Sequence, residues 1–178
     1  MKVIDTAIPD VKILEPAVFG DERGFFMETW NQREFDEKVA KRVFVQDNQS
    51  LSHKGVLRGL HYQLAPYEQG KLIRVISGGV YDVAVDIRPT SNTYGQHVAV
   101  ELTAANNRML WIPEGFAHGF LTLENNTIFA YKTTGYYDKS SERALHWKSS
   151  VLNIGWPKMK NFIVNEKDAK APSFDPLF

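Results

Sequence analysis

The chain of 178 residues contains no cysteine, which excludes disulfides, thiolate metal sites and thiol nucleophiles together. It also lacks an excess of either charge: Lys and Arg number 21, and so do Asp and Glu. No net field is available to hold a nucleic-acid backbone or an anionic membrane surface, so an anionic ligand must be met by a local cluster of charge. Long hydrophobic runs are missing too. The opening stretch MKVIDTAIPDVKILEP has no continuous apolar segment of the signal-peptide kind, and no later run reaches the length of a membrane span. The expectation is a cytoplasmic protein that engages neither nucleic acid nor membrane.

What is present is enough apolar material for one core, with 43% hydrophobic and 12% aromatic residues, so a single domain over 1–178 is expected. Short β-rich runs recur between turn signals: Val11 to Leu14, Phe25 to Trp30, Val43 to Gln46, Leu72 to Ile76, Val80 to Ile87, His97 to Leu102, Met109 to Ile112, Phe116 to Leu123 and Thr127 to Thr133. That spacing predicts a sandwich or barrel. In the run from Val80, alternation puts Tyr81, Val83, Val85 and Ile87 on one face and Val80, Asp82, Ala84 and Asp86 on the other. One face is expected to be core, the other to line a polar cavity. Asn31 to Ala40 reads as a helix, capped by Asn31, with Phe35 and Val39 on one side. The tail beyond Trp156, with Pro157, Pro172 and Pro176, is less regular and is expected to pack over the sheet.

Two segments concentrate chemistry. Gly55-Val-Leu-Arg-Gly-Leu-His-Tyr-Gln63, followed by Gln69-Gly-Lys-Leu-Ile-Arg-Val-Ile76, brings Arg58, His61 and Lys71 into one β-rich stretch, so a base and two cations can meet. The plain alternative is a satisfied core histidine with solvated cations. Arg58 and His61 differ by three residues and face opposite sides of a regular strand. Gly59 lies between them, and an irregularity there is predicted, because a glycine inside a strand often marks a bulge that re-aims the next side chain. The second segment, Trp111-Ile-Pro-Glu-Gly-Phe-Ala-His-Gly-Phe120, sets His118 in a Pro-x-Gly-x-x-His context.

Together the two segments resemble the paired motifs of the cupin superfamily, which implies a mostly β fold, an antiparallel cupin-type sandwich or jelly-roll barrel with a few short helices. Many cupins hold a metal through a His-x-His pair, a Glu and the later His. Here Gln63 stands two after His61, and no Glu follows at the cupin spacing, since Ala65, Pro66 and Tyr67 precede Glu68. His61 and His118 alone do not make up the usual three or four protein ligands, so no metal is expected.

Beyond the superfamily, the chain resembles the dTDP-4-dehydrorhamnose 3,5-epimerase family over nearly its whole length. The resemblance rests on Phe19-Gly-Asp-Glu-Arg-Gly-Phe-Phe26, Phe44-Val-Gln-Asp-Asn48, Gly55-Val-Leu-Arg-Gly-Leu-His61, Gly70-Lys71, Trp111-Ile-Pro-Glu-Gly-Phe-Ala-His118 and Tyr131-Lys-Thr-Thr-Gly-Tyr-Tyr137. It implies a cofactor-free isomerase that inverts C3 and C5 of dTDP-4-dehydro-6-deoxy-D-glucose through an enolate, in dTDP-L-rhamnose biosynthesis, and works as a homodimer. It assigns His61 as base, Tyr131 as acid, Asp168 as the carboxylate orienting His61, and Lys71 as the cation beside the ketone. Around the dTDP-linked 4-keto-6-deoxyhexose it places Arg23, Glu28, Gln46, Asn48, Arg58, His118, Glu142 and Lys167, with Tyr137 stacking on the base. Without the resemblance, Phe129 and Tyr131 read as core aromatics, and Asp168 reads as part of a solvated turn or helix start. A 3-epimerase or 3,4-ketoisomerase is the nearest alternative, and a metal-dependent or ligand-sensing cupin is an alternative from another class.

Overall fold

The computed structural model describes residues 1–175; the expected tail residue Pro176 and the end of the expected domain lie outside them. In chain order the elements are β1 (Lys2–Asp5), β2 (Lys12–Glu15), β3 (Val18–Asp21), β4 (Gly24–Met27), α1 (Gln32–Lys38), β5 (Gln46–Ser52), β6 (Val56–Gln63), β7 (Lys71–Ser77), β8 (Gly79–Asp86) and β9 (His97–Thr103). There follow β10 (Met109–Ile112), β11 (Phe116–Thr122), β12 (Thr127–Thr133), β13 (Glu142–Ala144), β14 (Ile163–Val164) and α2 (Glu166–Ala169).

Two sheets form the body. One runs β1-β2-β10-β7-β12-β5 and the other β13-β6-β11-β8-β9, with β14 added to β6, while β3 and β4 make a separate hairpin. All pairings are antiparallel except that of β14 with β6. Between the sheets lies an apolar core that includes Ile73, Val75, Phe129, Val80, Ala84, Val100, Leu102, Leu110 and Phe120. Phe120 and Phe129 join the two sheets by a stacked contact, with ring centroids 4.1 Å apart. This is the mostly β, cupin-like sandwich that the motifs imply.

Parts of both outer faces are covered as well. Over the first sheet lies α1, whose seven residues could not hold a helix alone. Asn31 caps it by accepting from the Glu34 amide at 3.2 Å, a contact worth about 1 kcal/mol. Phe35 anchors it, edge-on to Trp111 at 5.2 Å and fully buried, which contributes about 2–3 kcal/mol. Over the second sheet lies the chain after β13, where Leu145, Leu152, Trp156 and Phe174 pack on the outward residues Tyr81, Val83 and Val85 of β8. The tail therefore does pack over the sheet. The alternation of β8 is correct, but both of its faces are buried: Val80 and Ala84 join the inner core, while Asp82 points toward the cavity histidine described below.

The strand expected at Val43 to Gln46 begins only at Gln46. From there β5 pairs residue for residue with β12, from Gln46 opposite Thr133 to Ser52 opposite Thr127. The hydrophobicity of Val43 and Val45 indicated an element three residues early. The length of the partner strand decides where the ladder starts.

The irregularity at Gly59 is present. His61 pairs with His118 and Arg58 with Phe120, so three steps on β6 oppose two on β11. Gly59 has φ +122°, and a Cβ there would stand 2.5 Å from the Gly119 Cα and 2.7 Å from the His118 carbonyl. Only glycine fits this close backbone crossing.

Candidate active site

The bulge lets Arg58 and His61 line the same cavity, of about 360 Å³, which opens between the sheets at the polar end of the core. Asn48 of β5, Lys71 of β7, His118 of β11, Tyr131 of β12, Tyr137 and Glu142 line it too. The inward face of each strand is the reason: Asn48 lies opposite Tyr131, and Lys71 opposite Thr133, so their side chains continue the inner rows that are apolar deeper in the sandwich.

His61 Nε2 lies 2.6 Å from Asp168 Oδ1. Asp168 is fully buried, and its other oxygen accepts from the Gly59 amide at 3.0 Å. Asn165 caps α2 by accepting from the Asp168 amide at 2.7 Å, which fixes the carboxylate in place. Burial would raise the pKa of Asp168, but the bonds from His61 and Gly59 and the charge of His61 outweigh it and hold the carboxyl below its ordinary value. An ionised Asp168 only accepts, so Nε2 of His61 carries the proton and Nδ1 is left as the basic nitrogen.

Opposite stands a second pair. His118 Nε2 is 3.0 Å from each oxygen of Asp82, and both residues are buried. Desolvation lowers the pKa of His118, against the opposing pull of Asp82, so its imidazole is held toward the neutral form. Lys71 is brought down to about 8 by desolvation, with the charges of Asp82 and Glu142 opposing. Burial raises Tyr131 above the usual phenol value; Arg58 opposes this and Glu142 adds to it. The phenol therefore stays protonated at neutral pH.

At the mouth, Glu142 Oε2 accepts from the Tyr137 hydroxyl at 3.0 Å and pairs with Lys167 Nζ at 2.5 Å. Burial would raise Glu142, but these two partners outweigh it and keep it below its usual value. Gln46 accepts from the Tyr137 amide at 3.2 Å and donates to Asn48 at 2.8 Å. The Asn48 amide nitrogen is enclosed, with no hydrogen-bond partner among the described residues.

Gln63, at the second position of the cupin metal pair, is committed elsewhere. Its amide donates to the carbonyls of Tyr67 and Tyr136 and accepts from the Asp138 amide, bracing the loop that carries Tyr137. Among the described residues no three His, Asp or Glu side chains converge as a metal-binding group. No described helix is long and apolar enough to cross a membrane.

Two expected residues are not brought to this cavity. Arg23 sits at the exposed turn of the β3–β4 hairpin, paired with Asp21, and Glu28 borders a different groove with Phe19, Phe26 and Trp30. The hairpin pairs only with itself, so nothing in the single chain folds it over His61. Conversely, Asp82, Gln63 and Asn165 belong to the site but were not among the candidates. For Asp82 a signal existed: an acid on the inward row of an otherwise apolar strand needs a buried partner.

A cupin-type sandwich whose cavity holds a histidine–carboxylate pair, a phenol and a lysine of lowered pKa has the groups that an enzyme of proton transfer needs. The sequence profile of dTDP-4-dehydrorhamnose 3,5-epimerase matches residues 5–176. The chain is 57% identical over 175 residues to the dTDP-4-dehydrorhamnose 3,5-epimerase of Shigella flexneri, covering 98% of this chain and 96% of the relative. Among solved structures it is similar to dTDP-6-deoxy-D-glucose-3,5-epimerase from Legionella pneumophila, in complex with dTDP-4-keto-L-rhamnose. That match has TM-score 0.94 and 48% identity and covers 97% of this chain and 92% of the other. The enzyme from Elizabethkingia anophelis has TM-score 0.94 and 44% identity, with 98% and 96% covered. The chain belongs to the dTDP-4-dehydrorhamnose 3,5-epimerase family, and it is an isomerase of the epimerase type.

Proposed function

We propose that the His61 cavity carries out the family's double epimerisation, converting dTDP-4-dehydro-6-deoxy-D-glucose to dTDP-4-dehydro-L-rhamnose without a cofactor. Nδ1 of His61 removes the proton from a carbon beside the C4 ketone, and the electron pair moves onto the ketone oxygen. The Lys71 ammonium stabilises that enolate, because a fixed positive charge in a desolvated site is worth far more than in water. The Tyr131 hydroxyl returns a proton to the opposite face and is itself reprotonated from solvent, while His61 gives up to solvent the proton it took and is again a free base. The same sequence at the second carbon completes the reaction. The single observation that carries this reading is the His61–Asp168 pair facing the same cavity as Lys71 and Tyr131.

Binding follows the same logic. Arg58 and Lys167 suit phosphate oxygens, Tyr137 suits the face of a base, and Asn48, Gln46, His118 and Glu142 suit hydroxyl and carbonyl groups. Arg23 and Glu28 complete the set from a second copy in a homodimer, whose contact the exposed Phe19, Phe25 and Phe26 of the hairpin would supply. Incubation with authentic dTDP-4-dehydro-6-deoxy-D-glucose, with the product resolved by NMR, tests the proposal. Inversion at C3 alone assigns a 3-epimerase, and movement of the ketone assigns a 3,4-ketoisomerase.

A further inference from the structure

Strand β8 carries two aspartates on one face, Asp82 and Asp86, both 0% exposed. Their surroundings differ. Asp86 is saturated: it accepts from the amide, the Nε and one terminal guanidinium nitrogen of Arg88 and from the hydroxyls of Ser91 and Thr93, at 2.6 to 3.0 Å. Asp82 has one donor among the described residues, the Nε2 of His118, shared between its two oxygens. Its cross-strand neighbours are Phe120 and Val100, and Val80 and Ala84 flank it on its own face. A carboxylate kept only for structure would be expected to have the partners of Asp86, because an ion so enclosed is costly unless it is well paired.

The missing partner is a charge at longer range. Among the described residues Lys71, half-buried on the cavity wall, has no carboxylate within ion-pair distance. The charged and titratable groups around it are Arg58 and His61 of β6, His118 of β11, Tyr131 of β12, Glu142 of β13, and Glu68 and Tyr137 of the loops. Glu142 is offset by Lys167, and Asp168 by His61. Of the two carboxylates left, Glu68 and Asp82, Asp82 is the one whose charge acts on Lys71.

We propose that Asp82 is a positioning residue of the reaction: from outside the cavity lining it fixes the His118 imidazole and supplies the buried negative charge that keeps Lys71 an ammonium ion. This rests on the reading of Lys71 as the cation that receives the enolate. Desolvation already brings Lys71 to about 8, and Asp82 is the larger of the two charges opposing that fall. Without it, the pKa of Lys71 falls further below about 8. His118 is pinned through Nε2, which leaves Nδ1 without a partner among the described residues and facing substrate as an acceptor.

The test is the pH profile of kcat/KM in Asp82→Asn, whose amide oxygen still accepts from His118 while the charge is gone. The alkaline limb should move down by about one pH unit or more, so that the rate at pH 8 relative to pH 6 drops a further fivefold or so. Asp86→Asn is the control: it should lose stability and leave the limb where it is in the wild type. A folded Asp82→Asn enzyme whose limb has not moved, or has moved no further than in the control, overturns the proposal. So does a chain that folds with neither Asn nor Ser at position 82, since Asp82 is then a structural carboxylate. A wild-type enzyme without epimerase activity is a separate result, which removes the functional reading and this inference with it.

Discussion

His61 and Asp168 are 107 residues apart in the chain and 2.6 Å apart in space, joined through Nε2 and Oδ1. Among the described residues no other hydrogen bond to the His61 ring sets which of its nitrogens carries the proton. Asp168→Asn keeps the shape but presents an amide that can as well donate as accept, so the tautomer is no longer fixed. We expect kcat to fall by about a hundredfold or more with a smaller change in KM. A change confined to KM would make Asp168 a binding group.

Proton removal and proton return are separate events, and heavy water follows both. The wild-type enzyme should place deuterium at both carbons flanking the ketone, whereas His61→Ala should show neither exchange nor inversion. Tyr131→Phe retains base and cation, so residual exchange should persist while conversion to the doubly inverted product is strongly reduced. If Tyr131→Phe inverts both centres at the wild-type rate, Tyr131 is a packing aromatic against Phe129, 5.9 Å away.

Lys71→Ala should lower turnover by about a hundredfold or more, on the scale of removing one oxyanion donor. The sign of its pH effect follows from the direction of its shift. A lysine lowered to about 8 is charged below that value and neutral above it, so wild-type activity should decline as pH rises through about 8. In Lys71→Ala that decline should vanish, and a limb that persists belongs to another group.

Exhaustive chelation should leave turnover unchanged. The motivation is the donor set: Gln63 holds backbone groups of residues 67, 136 and 138 instead of offering a second imidazole beside His61. Activity lost with EDTA and restored by one divalent ion would contradict this.

Asp86 governs acid stability rather than chemistry. Burial would raise its pKa, but the bonds from Arg88, Ser91 and Thr93 bring it to about 2, from 3.8. A depressed carboxyl contributes stability that is present above its unfolded value and lost as pH falls from about 4 toward 2. Asp86→Asn should therefore cost about 2–3 kcal/mol in urea unfolding at pH 7, and little at pH 2. An equal loss at both pH values would point to packing instead of ionisation.

Local rules were enough to read much of this molecule from its residues. Alternation revealed the strands from Leu72 to Thr133, and the Asn31 cap with Phe35 and Val39 marked α1. The conflict between Arg58 and His61, with Gly59 between them, announced the bulge. These signals are short in range, because side-chain period, capping and turn chemistry act within a few residues. Family motifs then supplied the candidate residues without saying how they meet.

The meeting was decided by tertiary structure alone. Which strands become neighbours is set by burial of the whole core, and only that choice brings Asp82 to His118 across 36 residues and Asp168 beneath His61. By itself the segment around Asp168 is a polar turn; the packing of the tail over the second sheet makes it the buried partner of His61. The same packing keeps Arg23 and Glu28 away from His61 within one chain, since the hairpin and Glu28 border a different groove, with Trp30, Leu72 and Met109. Sequence determines what each residue is able to do, and the packing of distant strands determines which of them act on the same atoms.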